Sequence, residues 1–278
     1  MANTAKARVL GAELRDLRKQ AGLTVRGLEE RLNFSRSTIS RIECGEKVPS
    51  AEDLGAMLAI YKVTGTRRDE LVEAAKEADQ PNWTEVGPTG IPRQLSALLE
   101  FEREATRISD LSLIRVPGLL QTADYARAVF RGGGVSPERI EMLVAIRMGR
   151  REVLTRASPV KFVALIDEAV LRRPVGGKEV MADQLRHILK TAELDTVTVQ
   201  VLPFELGAHI GQDGSHILLE FAKADPIVHL EHRRSGQFLD KPEDTIDFRD
   251  LTATLQADAL GADQSAALIR SYLDGLEA

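Results

Sequence analysis

The chain has one cysteine (Cys44), one tryptophan (Trp83) and few rings of any kind, 4% of 278 residues. A single thiol excludes an intramolecular disulfide and a thiolate cage for zinc, and it suits a reducing compartment. Few rings mean a core of aliphatic side chains and alanine. No run of about 18 apolar residues exists that would cross a bilayer. The opening stretch MANTAKARVLGAELRDL lacks an apolar core followed by a cleavage site, so no secretory leader is read there. These absences place the expected location in the cytoplasm. There is no Gly-x-Ser-x-Gly elbow, no Cys–His nucleophile pattern and no full phosphate loop. No catalytic residue, metal-ligand set or cofactor is assigned.

What is present is an ordinary globular composition, 43% hydrophobic and 28% charged. The formal net charge of −5 is unevenly spread. Residues 1–48 hold 10 Lys+Arg against 6 Asp+Glu, a local excess of +4, which leaves −9 on the remaining 230. A basic head on an acidic body fits a DNA-reading module joined to a body that does not bind DNA.

Within that head, LTVRGLEERLNFSRSTISRIECG (23–45) predicts two short helices joined by a tight turn. Leu23, Leu28 and Leu32 line the first, Ile39 and Ile42 the second, and Asn33-Phe34 lie between, which is helix-turn-helix spacing. Before them, Val9–Ala21 has helical periodicity and Gly22 ends it as a left-handed cap. Thr24 caps a helix over 25–32, and Ser35 caps one over 36–44 that Gly45 stops. Further helices are expected over Ala51–Tyr61 and 67–78. The spacing puts Ile39 and Ile42 inward and Arg36, Ser37, Ser40 and Arg41 outward. Arg36 can meet guanine O6 and N7 with two hydrogen bonds, worth ~1–3 kcal/mol of discrimination. Thr24, Ser35 and Thr38 suit phosphate oxygens, and Arg26 and Lys47 suit backbone clamping. Glu43 reads as structural, pairing with a nearby arginine.

LGAELRDLRKQAGLTVRGLEERLNFSRSTISRIECGEKVPS resembles the lambda-repressor-like, Cro/C1-type (XRE) helix-turn-helix. The chain keeps Leu23-Thr24, Ser35 to Ser40, Glu43-Cys44-Gly45 and Pro49-Ser50 of that pattern. It departs at Val25, where the family often has a phosphate-contacting glutamine. The resemblance implies a five-helix domain that binds double-stranded operator DNA as a homodimer.

The segment DQPNWTEVGPTGIP (79–92) reads as a linker, and Trp83 as an apolar peg within it. The expected organisation is therefore a helix-turn-helix domain at 1–78, a linker at 79–93 and a second domain at 94–278. In the second domain, helices are expected at Gln94–Ser109, Thr122–Phe130, Ser136–Arg156, Lys178–Leu194, Pro242–Ala259 and Ser265–Leu276. Strands are expected at Val160–Ile166, Val197–Leu202, His216–Phe221 and Ile227–Leu230, with Gly236–Leu239 a further candidate. The fold class is multi-domain: an α head, then an α+β domain with a small central sheet flanked by helices.

VPGLLQTADYARAVF (116–130), IDEAVLRRPVGGKEVMADQLRHIL (166–189), TVTVQVLPFELGAH (196–209) and GSHILLEF (214–221) are similar to the DUF5753 domain found beside this helix-turn-helix in filamentous actinobacterial regulators. That resemblance implies a regulator of development or secondary metabolism, often encoded beside a small DUF397-type protein that binds it. Read for chemistry, Asp167-Glu168 follow a strand directly, as catalytic carboxylates sometimes do and helix-capping ones more often do. Arg172 opens a Gly-Gly turn suited to an anion or to nothing but a turn. His209 and His216 flank a Gly-Gln-Asp-Gly turn and would converge in a hairpin. His229 and His232, three apart on a strand, point to opposite faces. Asp167, Glu168, Arg172, His209 and His216 are thus the candidates for an effector pocket. The functional expectation is a DNA-binding regulator whose second domain senses a small molecule or binds a partner protein. The rival is an autoregulated enzyme or toxin-like domain fused to a DNA-binding head.

Arg36→Ala is expected to relax base preference, whereas Lys47→Ala weakens binding to all sequences alike. Gel shifts on specific and random duplexes separate the two, and equal losses on both duplexes for Arg36→Ala would contradict the assignment.

Overall fold

The computed structural model describes residues 4–32, 34–80, 83–86, 93–231 and 235–278. The chain divides into two compact units. One comprises 1–100, 223–227 and 232–245, and the other 101–222, 228–231 and 246–278.

The first unit opens with five helices: α1 Ala5–Gln20, α2 Val25–Leu32, α3 Arg36–Glu43, α4 Ala51–Ile60 and α5 Gly65–Glu77. Four of them start under a hydroxyl. The side chains of Thr4, Thr24, Ser35 and Ser50 accept from the amides of Ala7, Gly27, Thr38 and Asp53 at 3.0–3.1 Å. Each satisfies a donor that the first helical turn leaves without a partner. α1 begins four residues before the expected Val9, because the buried apolar residues of that first turn are the alanines Ala5 and Ala7. Leu10, Leu14, Leu28, Ile39, Ile42, Leu54, Met57, Leu58 and Leu71 are no more than 3% exposed and form one aliphatic core. Burial of each such side chain contributes about 1.5–3 kcal/mol.

A strand, β1 (Trp83–Val86), lies inside the segment expected as a linker. It pairs antiparallel with β7 (Ser235–Leu239), with Trp83 opposite Phe238. The expectation for the Trp83 side chain falls outside the described side chains, and those for Asn33 and His232 outside the described residues.

Beyond α6 (Arg93–Glu104), the second unit carries β2 (Arg107–Ser112), α7 (Ala123–Gly132), α8 (Pro137–Arg150), β3 (Lys161–Asp167), α9 (Glu168–Arg172) and α10 (Lys178–Thr191). Then follow β4 (Val197–Leu202), β5 (His216–Glu220), β6 (Ile227–Glu231), α11 (Pro242–Asp258) and α12 (Ala262–Glu277). Its strands lie in the order β6-β5-β2-β3-β4. β2, β3 and β4 are parallel and β5 runs against β2, so the sheet is mixed. One face presents Leu111, Val163, Leu165 and Leu202 to Leu255 of α11. Strand alternation places Ile108, Asp110 and Ser112 of β2 on the other face.

Two expectations change here. Gln94–Ser109 is not one helix: α6 ends at Glu104 and β2 follows. The strand escapes a hydropathy reading because Ser109, Asp110 and Ser112 are buried polar residues in the middle of the sheet. The helix expected to reach Arg156 ends at Arg150 and tightens into a 3₁₀ turn over Arg151–Leu154.

His216 is 3% exposed, packed edge-on against Phe248 at 4.8 Å, with Nε2 3.3 Å from the Thr252 hydroxyl. Burial lowers its pKa to about 4. A base held neutral when folded contributes stability that is complete above its unfolded value near 6.5 and is lost as pH falls through 4. Chemical denaturation from pH 7 to 4 is expected to show a loss of about 3 kcal/mol from this group. His216→Leu reduces the loss in that window and leaves the share of His187 and His229, whose pKa values burial also lowers to about 4, and an unchanged pH profile in the variant would contradict the assignment.

Candidate nucleic-acid interface

α3 is held by its neighbours before it presents anything. Ile39 and Ile42 are 0% and 1% exposed and anchor its inner face. Glu43, at its last turn, accepts two hydrogen bonds from Arg18 of α1, Nε at 2.6 Å and Nη2 at 2.9 Å. The third arm of the same guanidinium, Nη1, donates to the Leu23 carbonyl at 2.7 Å. One arginine thus ties together α1, the turn before α2 and the end of α3. Both side chains are nearly buried, at 9% and 6%. The arginine anticipated for Glu43 is therefore Arg18, twenty-five residues away in sequence.

Two glycines permit the close approach. A Cβ on Gly11 would lie 2.9 Å from the Glu43 carbonyl oxygen, so α1 seats the end of α3 directly on its backbone. Gly45 has φ +75°, and a Cβ there would meet the Arg8 amide nitrogen at 2.6 Å. An L side chain at 45 is excluded twice, by backbone conformation and by space.

The outer face of α3 is polar throughout. Ser35, Arg36, Ser37, Ser40 and Arg41 are exposed, and Thr38 is half-buried. The Ser35 hydroxyl lies 2.8 Å from that of Ser37 and 3.0 Å from that of Thr38, a compact hydroxyl cluster over the start of the helix. The amides of this first turn carry the positive end of the helix dipole. Thr24 and Arg26 are exposed at the start of α2, and Lys47 is half-buried after α3. All nine candidate DNA-contacting residues therefore belong to one helix-turn-helix and its borders, and none is fully buried.

Three arginine–carboxylate pairs involve these candidates. Arg36 Nε donates to Glu29 Oε2 at 2.6 Å, Arg26 to Glu30 at 3.1 Å, and Arg41 lies 3.7 Å from Glu46. Glu29 was not legible from the sequence as a site residue. It lies seven residues before Arg36, across the turn, where a single-helix spacing rule does not apply. Its carboxylate holds the Arg36 guanidinium without burying it. Cys44 is exposed where α3 ends.

The second unit brings four of the five effector candidates near the carboxyl end of β3. Asp167 caps α9 by accepting from the Ala169 amide at 2.8 Å. Glu168 is 5% exposed, accepts from the Phe204 amide at 2.8 Å and from the Tyr272 hydroxyl, and lies 3.8 Å from Arg172. Arg172 is exposed between the Phe204 and Tyr272 rings, 4.9 and 5.8 Å from their centroids. His209 lies 3.8 Å from Asp167, with Nδ1 accepting from the Gly211 amide. His216 does not join them. The chain between the two histidines forms a 3₁₀ turn over Ile210–Asp213 rather than a hairpin, and His216 packs on α11. Asp167 is engaged in helix capping, and Glu168 in cross-linking to Phe204 and Tyr272. The Arg172–Lys178 stretch is a turn with Gly176 and Gly177 at φ +80° and +96°. Among the described residues no group of three or more His, Cys, Asp or Glu is placed to hold a metal, and no helix is long and apolar enough to cross a membrane.

Comparison with known proteins agrees with this geometry. Residues 9–71 match the model of a helix-turn-helix domain. Residues 95–271 match the model described as a domain of unknown function, DUF5753. Curated proteins provide no match. A solved structure titled as that of TrmBL2, an archaeal chromatin protein with a novel mode of DNA binding, is 14% identical over 77% of this chain and 72% of that one. Its TM-score of 0.31 is too low to support an argument.

Arg18→Met leaves Glu43 buried without its partner and is expected to destabilise the first unit by about 3–5 kcal/mol. The double variant Arg18→Met, Glu43→Leu recovers most of that loss. Thermal unfolding of the three proteins checks it, and a single variant as stable as the parent would contradict the locking role.

Proposed function

The chain belongs to the DUF5753 family and carries a helix-turn-helix domain at its head, and we propose that it is a sequence-specific, DNA-binding transcriptional regulator. The helix-turn-helix match supports DNA-binding regulation at the coarse level. The observation that carries the finer reading is the exposed polar start of α3 on a scaffold locked by Arg18 and Glu43. In this reading α3 enters the major groove and Arg36 reads guanine, exchanging its bond to Glu29 for the base edge. Ser37, Ser40 and Arg41 complete the base-facing surface. Thr24, Ser35 and Thr38 hold phosphate oxygens, and Arg26 and Lys47 clamp the backbone. The protein acts as a homodimer on two half-sites about 34 Å apart.

The proposed division of labour assigns 1–78 to DNA, 79–93 to connection and 94–278 to regulation. The regulatory domain senses a small molecule or binds a small DUF397-type protein, and so shifts the DNA-binding equilibrium in development or secondary metabolism. An effector can do this only by preferring one conformation. A cytoplasmic location follows from this role. The structural engagement of Asp167 and Glu168 supports a regulator rather than an enzyme.

Binding to a selected duplex by the full chain is expected to weaken by about 10³–10⁵ between 50 and 200 mM salt, as for roughly 6–10 phosphate contacts. Footprinting on genomic fragments at low ionic strength reads the same claim. A salt-independent affinity, or no protected stretch, would contradict it.

A further inference from the structure

Among the described residues six large apolar side chains are well exposed, and three of them gather at one edge of the second unit's sheet: Ile114 at 64%, Phe204 at 45% and Ile210 at 50%. Because β2, β3 and β4 run parallel, their carboxyl ends share that edge. Ile114 follows the end of β2 by two residues, and Phe204 follows the end of β4 by two. With one strand between them, those two strand ends stand roughly 10 Å apart. The loop after β4 crosses back along the edge, and its inner side is fixed. Leu206 packs on the core of Leu111 and Leu165, a Cβ on Gly211 would meet Leu111 at 3.0 Å, and the Ser215 hydroxyl accepts from the Leu113 amide at 3.0 Å. Phe204 and Ile210 remain on the outer side of the loop, along the edge that carries Ile114.

The patch is preformed. The Phe204 amide donates to buried Glu168 at 2.8 Å, and the Arg172 guanidinium lies 4.9 Å from the Phe204 ring centroid. Apolar side chains exposed singly are ordinary, but three on one fixed edge mark a contact surface. Two short segments of opposite charge flank them. The end of α9 and the turn after it carry exposed Arg172 and Arg173, and the loop after β4 carries exposed Glu205 and Asp213. These charges balance, two against two, on a chain whose residues 49–278 carry −9. A partner of one strong sign would set half of them against their like. A two-fold rotation instead lays the basic turn of one copy on the acidic loop of the other, as a self-complementary contact requires.

We propose that the carboxyl edge of this sheet, centred on Phe204 with Ile114 and Ile210, is the face by which two copies of this chain pair. Phe204 is the anchor, because an aromatic ring held in a rigid setting contributes most to a contact when it is desolvated at the centre. The contact is isologous, so every substitution on the face acts twice. The inference rests on the homodimer of the proposed function and gives that dimer its face.

Sedimentation velocity of the full chain without DNA, over a dilution series, tests the face apart from DNA binding. The parent is expected to be a reversible dimer that dissociates on dilution. Phe204→Asp raises the dissociation constant by about tenfold or more, because the anchor is lost on both sides. Arg173→Glu also weakens the dimer, and adding Glu205→Arg to it recovers most of the loss, which a misfolded variant would not do. A parent that stays monomeric overturns the proposal. So does a dimer that survives Phe204→Asp, or one that the two charge changes neither weaken nor restore. A monomeric parent that loses a bound small protein or metabolite on Phe204→Asp overturns it as well, and gives the face to that ligand. Footprinting is read separately. A dimer broken by Phe204→Asp, in a protein that protects no DNA, keeps the face and removes the DNA-reading role.

Discussion

The Arg18–Glu43 pair is the constraint on which the pose of α3 depends. It joins the first helix of the domain to the last turn of α3, and its remaining arm holds the turn between α1 and α2. Apolar burial is non-directional, whereas the Arg18 guanidinium makes a buried, directional, three-armed interaction. The close seating of α3 on Gly11 and the left-handed turn at Gly45 make the pair geometrically reachable. In the proposed mode of DNA binding the fixed pose matters, because a bidentate contact to a base tolerates only small errors in position.

On the opposite side of α3 the requirements reverse. There the side chains are exposed, and their bonds are to each other or to neighbouring carboxylates. Arg36 is held by Glu29 in an exposed pair that exchanges readily with solvent or a base. The hydroxyl cluster of Ser35, Ser37 and Thr38 keeps short donors and acceptors over the helix start. The domain is thus rigid where it faces its own core and exchangeable where it faces outward.

Much of the first unit was legible because its signals are local. Thr24, Ser35 and Ser50 announce helix starts, Gly22 and Gly45 announce ends, and leucines at helical spacing mark the inner faces. α2, α3 and α4 accordingly lie within a residue of expectation at either end. Less of the second unit could be read. β2 carries buried Ser109, Asp110 and Ser112, so the strand does not look apolar, and β1 sits among prolines and glycines that read as linker. Long-range pairings were the least visible. Arg18 with Glu43, Glu29 with Arg36, and the convergence of Arg147 and Arg150 on Gly118 need the fold before they exist. Sequence spacing placed Arg36, Ser37, Ser40 and Arg41 on the outer face of α3, but not the partners that hold them or the arginine cluster in the second unit.

The most direct test of the central claim is methylation interference at guanine N7 on a duplex selected by the full-length protein. If α3 lies in the major groove with Arg36 on guanine, methylation of a guanine in each half-site blocks binding, and Arg36→Ala abolishes that sensitivity. Binding indifferent to guanine N7 methylation, or equally sensitive in the variant, would contradict it.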